Sequence, residues 1–245
     1  RVLANASGKP IDWVSMKNFQ YNLEAMANEI NENTKIIYLA NPDNPTGSYF
    51  NKKEFDNFMN KVPDRALVIL DEAYYEYASS LSDYPDSMIY RYDNVITLRT
   101  FSKSYGLAGL RIGYGFAHKA LISNLMKVKL PFEPSMPAQA AAIAALDDFA
   151  HLEETLNENK KEMLKLQKVL QKCSLSYIPS SANFTTLVFQ NETQSERFVE
   201  EFLKKGIILR HLKAFGLPNC VRVTIGKSSE MEKFINKLDS ILERI

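Results

Sequence analysis

Apolar positions alternate between two arrangements along the chain. Near-continuous Val/Ile/Leu runs, in "KIIYLANPDNPTG", "RALVILDEAYYEY" and "NVITLRTFSK", predict buried strands. Between the first two, Phe55, Phe58, Met59 and Val62 recur at helical spacing, and "LRIGYGFA" adds a further short strand. Uninterrupted strands separated by helices predict a parallel sheet covered on both faces. In such α/β folds ligands sit beyond the carboxyl ends of the strands.

The pattern then breaks at "LPFEPSMPAQAAAIAALDD", where Pro131, Pro134 and Pro137 precede an Ala-rich helix. A second helix carries Leu152, Leu156, Met163, Leu166 and Leu170 on one face. Beyond it, "LSYIP", "ANFTTLVFQ", "GIILR" and "VRVTIG" read as strands around a helix through Phe198, Val199, Phe202 and Leu203. Met231, Phe234, Ile235, Leu238, Ile241, Leu242 and Ile245 form the apolar stripe of a last helix. The expected organisation is a large α/β domain over 1–135, connecting helices over 136–172 and a small α+β domain over 173–245.

Totals narrow the function classes. A net charge of +1 and no arginine/lysine stripe interleaved with aromatics give no case for nucleic acid. No apolar run reaches the length of a membrane span, and no signal peptide opens the chain. Cys173 and Cys220 form neither a CxxC pair nor a disulfide framework, which points to a reducing, cytoplasmic compartment. Three histidines and two cysteines without ligand spacing give no metal site, and no P-loop sequence is present.

Three strand ends carry polar clusters where the α/β rule places a site. They are "NPDNPTG" at 41–47, "DEAYYEY" at 71–77 and "TFSKSYGLAGLR" at 100–111. Taken singly, Asn44-Pro45-Thr46-Gly47 is a turn, Asp71 a helix cap and Lys103 a solvated side chain. Three such clusters at consecutive strand ends point instead to a shared site. Gly106, Gly109, Gly113 and Gly115 crowd the third cluster, as close backbone approach to a ligand would require. Its hydroxyls and arginine suit an anion. In "CVRVTIG", Arg222 and Thr224 alternate with Val221, Val223 and Ile225, which puts Arg222 on the face opposite the apolar one.

These motifs, in this order, together with "ANF" at 182–184, resemble the fold-type I, pyridoxal-phosphate-dependent aminotransferases. The histidinol-phosphate aminotransferase branch is the nearest in likeness. The resemblance implies that Lys103 holds the cofactor and shuttles the substrate's α-proton. Burial beside a cation such as Arg111 would favour that lysine's neutral form. It also implies that Thr100, Ser102 and Arg111 bind the cofactor phosphate, that Asp71 pairs with the pyridinium nitrogen, and that Tyr74 and Asn44 hydrogen-bond the phenolic oxygen. Arg222 and Arg210 would grip the anionic group of the substrate, a phosphate in this branch, and Asn183 would line the pocket. Glu72 and Tyr75 are taken as structural, His211 as a surface residue, and His118 and His151 as peripheral.

The reaction implied is amino transfer from L-histidinol phosphate to 2-oxoglutarate, giving imidazole acetol phosphate and L-glutamate in histidine biosynthesis, by a homodimer. An aromatic amino acid aminotransferase, a threonine-phosphate decarboxylase and the sensor domain of a regulator share the same motifs. The family's N-terminal arm, Gly-Ser motif, ring-stacking aromatic and subunit-crossing tyrosine have no counterpart in the sequence. Arg1 is not a methionine, so the expected protein is longer.

Overall fold

The computed structural model describes residues 6–89 and 92–245, so Arg1 lies outside it. Two four-stranded sheets organise those residues. The first runs β1 (Ile36–Ala40), β2 (Leu67–Asp71), β3 (Val95–Thr100) and β4 (Gly113–Ala117) in that order. β1, β2 and β3 are parallel, and β4 returns antiparallel to β3.

Helices α1 (Leu23–Asn28) and α2 (Lys52–Met59) accompany this sheet. Asn51 and Glu54 close a reciprocal capping box that fixes the start of α2. Phe55, Phe58 and Met59 then pack onto Ile37, Leu39, Val68 and Leu70. The opposite face departs from expectation. Ile36 is 60% and Tyr38 52% exposed, so the sheet is covered on one face and open on the other where β1 forms its edge. Nothing among the described residues packs there in the way α2 packs on the first face.

Past the short helix α3 (Tyr75–Ala78) and β4, helices α4 (Lys119–Val128), α5 (Met136–Asp147) and α6 (Phe149–Lys172) lead out of the first sheet. Ser135 caps α5, and Pro137 sits in its first turn, where a missing N–H costs nothing. Met126, Val128, Phe132, Met136, Ile143 and Phe149 leave an exposed apolar band along these helices.

The second sheet has the order β5 (Tyr177–Ile178), β6 (Phe184–Val188), β8 (Cys220–Thr224), β7 (Arg210–His211), all antiparallel. α7 (Glu192–Lys204) and α8 (Ser228–Leu242) cover it through Phe198, Phe202, Phe234 and Leu238, joined by Met163, Leu166 and Leu170 of α6. The "GIILR" strand shrinks to its last residue plus His211, because only Arg210 and His211 find ladder partners on β8.

The two sheets meet at the loop after β1. Thr186 Oγ1 donates to the Pro45 carbonyl at 2.6 Å, and the Ser181 amide to the Gly47 carbonyl at 2.8 Å. Gly47 has φ +77°, and a Cβ there would lie 2.1 Å from Ser180 Oγ, so both conformation and space require glycine. This docking carries Asn44 to the second sheet.

Candidate active site

Side chains from both sheets converge at the carboxyl ends of β1, β2 and β3. The parallel register aligns Ala40 with Asp71 and Asp71 with Leu98, so the three polar clusters leave the sheet side by side.

Asp71, half-buried, accepts the Ala73 amide on Oδ1 at 3.1 Å and the hydroxyl of Tyr38 on Oδ2. Tyr38 is absent from the sequence expectation. Burial and the Asp71 carboxylate raise its phenol well above the ordinary value, so it stays a donor. Tyr74 is buried against Phe184 of β6, ring centroids 5.3 Å apart, and burial raises its phenol too. Lys103 Nζ stands 5.4 Å from the centre of the Tyr74 ring.

Lys103 itself is exposed, which corrects the expectation of burial beside Arg111. Arg111, also exposed with φ +52°, donates through Nη1 to the Ala108 carbonyl of its own turn at 2.7 Å. Thr100 Oγ1 accepts the Ser102 amide at 3.1 Å, folding the strand end into the turn that presents Lys103. Part of the glycine crowding serves the chain itself. A Cβ on Gly113 would lie 2.6 Å from the Arg99 carbonyl across the β3–β4 pair, whereas Gly106 and Gly109 face open space.

From β8, Arg222 is half-buried, as its alternation with Val221 and Val223 anticipates. Nη1 donates to Asn44 Oδ1 at 2.5 Å, and the guanidinium carbon sits 4.9 Å from the Phe184 ring centre. Its Nε is buried without a partner. Arg210 is the cross-strand partner of Arg222, so two cations project from one face of the sheet. Burial, and with it the charge of Arg210, lowers the Arg222 pKa, against an opposite pull from Tyr74.

A path of contacts therefore runs from Lys103 through Tyr74, Phe184 and Arg222 to Asn44. Asn183 flanks it, half-buried, accepting the Ile225 amide on its backbone carbonyl at 2.9 Å.

Other residues differ from expectation or refine it. His211 is half-buried rather than on the surface, its Nε2 lying 3.0 Å from Ser195 Oγ and 2.8 Å from the Pro218 carbonyl. His118 and His151 are exposed, at the start of α4 and in α6. Glu72 and Tyr75 surround Arg99, a buried cation inside β3. Burial pushes Glu72 up to about 7 against the pull of that guanidinium, and Arg99 stays charged.

The donor set at these strand ends is a carboxylate, a phenol, an amide, an amine, two hydroxyls and a guanidinium. It suits an aromatic ring with a protonatable nitrogen, a phenolic oxygen and a phosphate. The model of the family described as aminotransferase class I and II matches residues 2–238. Histidinol-phosphate aminotransferase 2 of Carboxydothermus hydrogenoformans is 41% identical over 232 residues, which are 94% of this chain and 64% of that protein. A histidinol-phosphate aminotransferase of a Geobacillus species is 42% identical over 238 residues, 96% of this chain and 64% of that protein. The crystal structure of the Sinorhizobium meliloti histidinol-phosphate aminotransferase, in complex with pyridoxal-5'-phosphate, superposes with a TM-score of 0.90 at 30% identity, over 98% of this chain and 66% of that one. The chain thus spans just under two thirds of the length of these relatives. By sequence over nearly its whole length and by fold, it belongs to the class I and II aminotransferase family.

Proposed function

We propose that the protein is a pyridoxal-phosphate-dependent transaminase acting on L-histidinol phosphate and 2-oxoglutarate, giving imidazole acetol phosphate and L-glutamate. The observation that carries this reading is the contact path from an amine, Lys103, to a paired cationic site, Arg222 with Arg210. Two guanidiniums opposite one another repel unless an anion lies between them, and a phosphate dianion matches that charge.

When bound, pyridoxal phosphate supplies the electron sink for breaking the bond between hydrogen and the amine-bearing carbon. Asp71 holds a proton on the ring nitrogen, and Tyr38 fixes one of its oxygens. Tyr74 and Asn44 serve the phenolic oxygen, and Thr100, Ser102 and Arg111 the cofactor phosphate. Lys103, presented by the turn after β3, takes the proton from the substrate carbon and returns it. Arg210 and Arg222 hold the substrate phosphate, then a carboxylate of the oxo acid, while Asn183 lines the pocket.

In this reading residues 1–135 are the cofactor-binding domain, 136–172 connecting helices and 173–245 the small domain. The exposed apolar band on α4, α5 and the start of α6 supports a homodimer. Among the described residues no helix is long and apolar enough to cross a membrane.

The test is glutamate formation by the full-length protein, with phosphorylated and unphosphorylated donors compared. Arg210→Ala should depress kcat/KM for L-histidinol phosphate at least tenfold more than for an aromatic amino acid, from loss of a charge-assisted bond worth about 1.5–3 kcal/mol. Equal losses on both donors would remove the phosphate assignment.

A further inference from the structure

Glu72 directly follows Asp71, and Arg99 directly precedes Thr100. Their side chains are almost wholly buried, at 0% and 6% exposure. Arg99 Nε donates to Glu72 Oε2 at 2.8 Å, and Nη2 lies 2.7 Å from the same oxygen. Nη2 also reaches Asp86 Oδ1 at 3.2 Å. The guanidinium carbon lies 3.3 Å from the Tyr75 ring centre and 5.3 Å from that of Phe116. The Glu72 amide donates to the Leu98 carbonyl at 2.8 Å, one step past the last ladder pair of β2 and β3.

A buried ion pair is a poor source of stability, since desolvating both charges consumes most of their attraction. Its location suggests a different use. One guanidinium grips the residue after Asp71 and belongs to the residue before Thr100, so it spans the two strand ends from which the cofactor-facing groups emerge. We propose that the Arg99–Glu72 pair, braced by Asp86 and Tyr75, sets the separation of Asp71 from the Thr100–Lys103 turn. Arg99 and Glu72 are then positioning residues rather than structural filling. The inference rests on the cofactor reading given above for its consequence, though not for its geometry.

The test uses the full-length protein with two variants. Glu72→Leu combined with Arg99→Met replaces the pair by apolar groups of similar volume, a change that buried pairs tolerate. Glu72→Gln keeps an oxygen for Arg99 Nε. Without cofactor, the double variant should melt close to the parent, while the Ser102 amide, bonded to Thr100 Oγ1, and the Leu107 amide, bonded to the Phe101 carbonyl at 2.9 Å, exchange about tenfold faster. Misplacement of order 1 Å should weaken pyridoxal phosphate binding by roughly ten- to a hundredfold and reduce the circular dichroism of its bound visible band. Glu72→Gln should fall between the two. Parental exchange and parental cofactor affinity in the double variant would overturn the proposal. So would a double variant that unfolds while Glu72→Gln matches the parent in both readouts. If the parent binds no pyridoxal phosphate, the cofactor reading fails, and unchanged exchange at Ser102 and Leu107 would still overturn the positioning role.

Discussion

Replacing Arg210 by glutamine separates two contributions of the paired arginines. Without an anion the change removes like-charge repulsion across the Arg210–Arg222 pair, a fraction of a kcal/mol for a directly opposed pair. It also removes the contact of Arg210 with the Phe215 ring, whose centre lies 5.8 Å away. At that distance and exposure the contact is worth about 0.5 kcal/mol. The two nearly cancel, so the anion-free midpoint should move by no more than about 2 °C, at roughly 2–4 °C per kcal/mol for a chain of this size. An anion changes the balance. Inorganic phosphate at a hundred times its dissociation constant stabilises the wild type by about 2.7 kcal/mol. Losing one charge-assisted bond weakens binding by a factor of ten or more. The variant should then gain at most about 1.4 kcal/mol at the same concentration. Thermal melts across a phosphate series read this directly as a gap of about 3–5 °C that opens only with the anion. A variant already destabilised without phosphate, and rescued by it as strongly as the wild type, would show that Arg210 does not hold the anion.

Three further outcomes follow from other parts of the structure. Thr186→Val leaves the buried Pro45 carbonyl without its 2.6 Å donor and should cost about 1–2 kcal/mol in urea unfolding, with weaker substrate binding because the loop carries Asn44. Glu72 binds its proton more tightly folded, at about 7, than unfolded, at 4.5. Between those values the folded state holds the extra proton, so stability should fall as pH rises through that window, and Glu72→Gln should flatten the slope in pH-dependent melts. Burial pushes the Cys220 thiol up to about 11, so a thiol reagent at pH 8 should leave Cys220 of the folded chain unlabelled and modify it only after denaturant is added.

Much of the fold was legible because its signals are local. "KIIYLA", "RALVIL" and "NVITL" are apolar enough to be strands on any partner, and the turn residues after them mark where they end. The position of Asn44, Asp71 and Lys103 at neighbouring strand ends was legible for the same reason, each lying just past such a run. The open face carrying Ile36 and Tyr38 was not, because an apolar residue reads identically whether or not another element covers it. Tyr38 carried one faint signal, a hydroxyl one position out of phase with the buried Ile37 and Leu39. Arg99 carried a stronger one, a charge within "VITLRT" that needs a buried partner, with Glu72 the nearest strand-end candidate. His211 was misread because its partners, Ser195 and the Pro218 carbonyl, are set by packing of α7 on the sheet rather than by spacing. Arg210 and Arg222, twelve positions apart, became a pair only through antiparallel register.

In the proposed reaction Lys103 and its neighbours hold pyridoxal phosphate and pass an amino group from a phosphorylated donor. The most direct measurement is the visible absorbance of the full-length protein loaded with pyridoxal phosphate, before and after L-histidinol phosphate, beside Lys103→Ala. The expected result is a cofactor band that the substrate bleaches and 2-oxoglutarate restores, and that is absent in the variant. A band that survives Lys103→Ala, or one that L-histidinol phosphate leaves untouched, would contradict it.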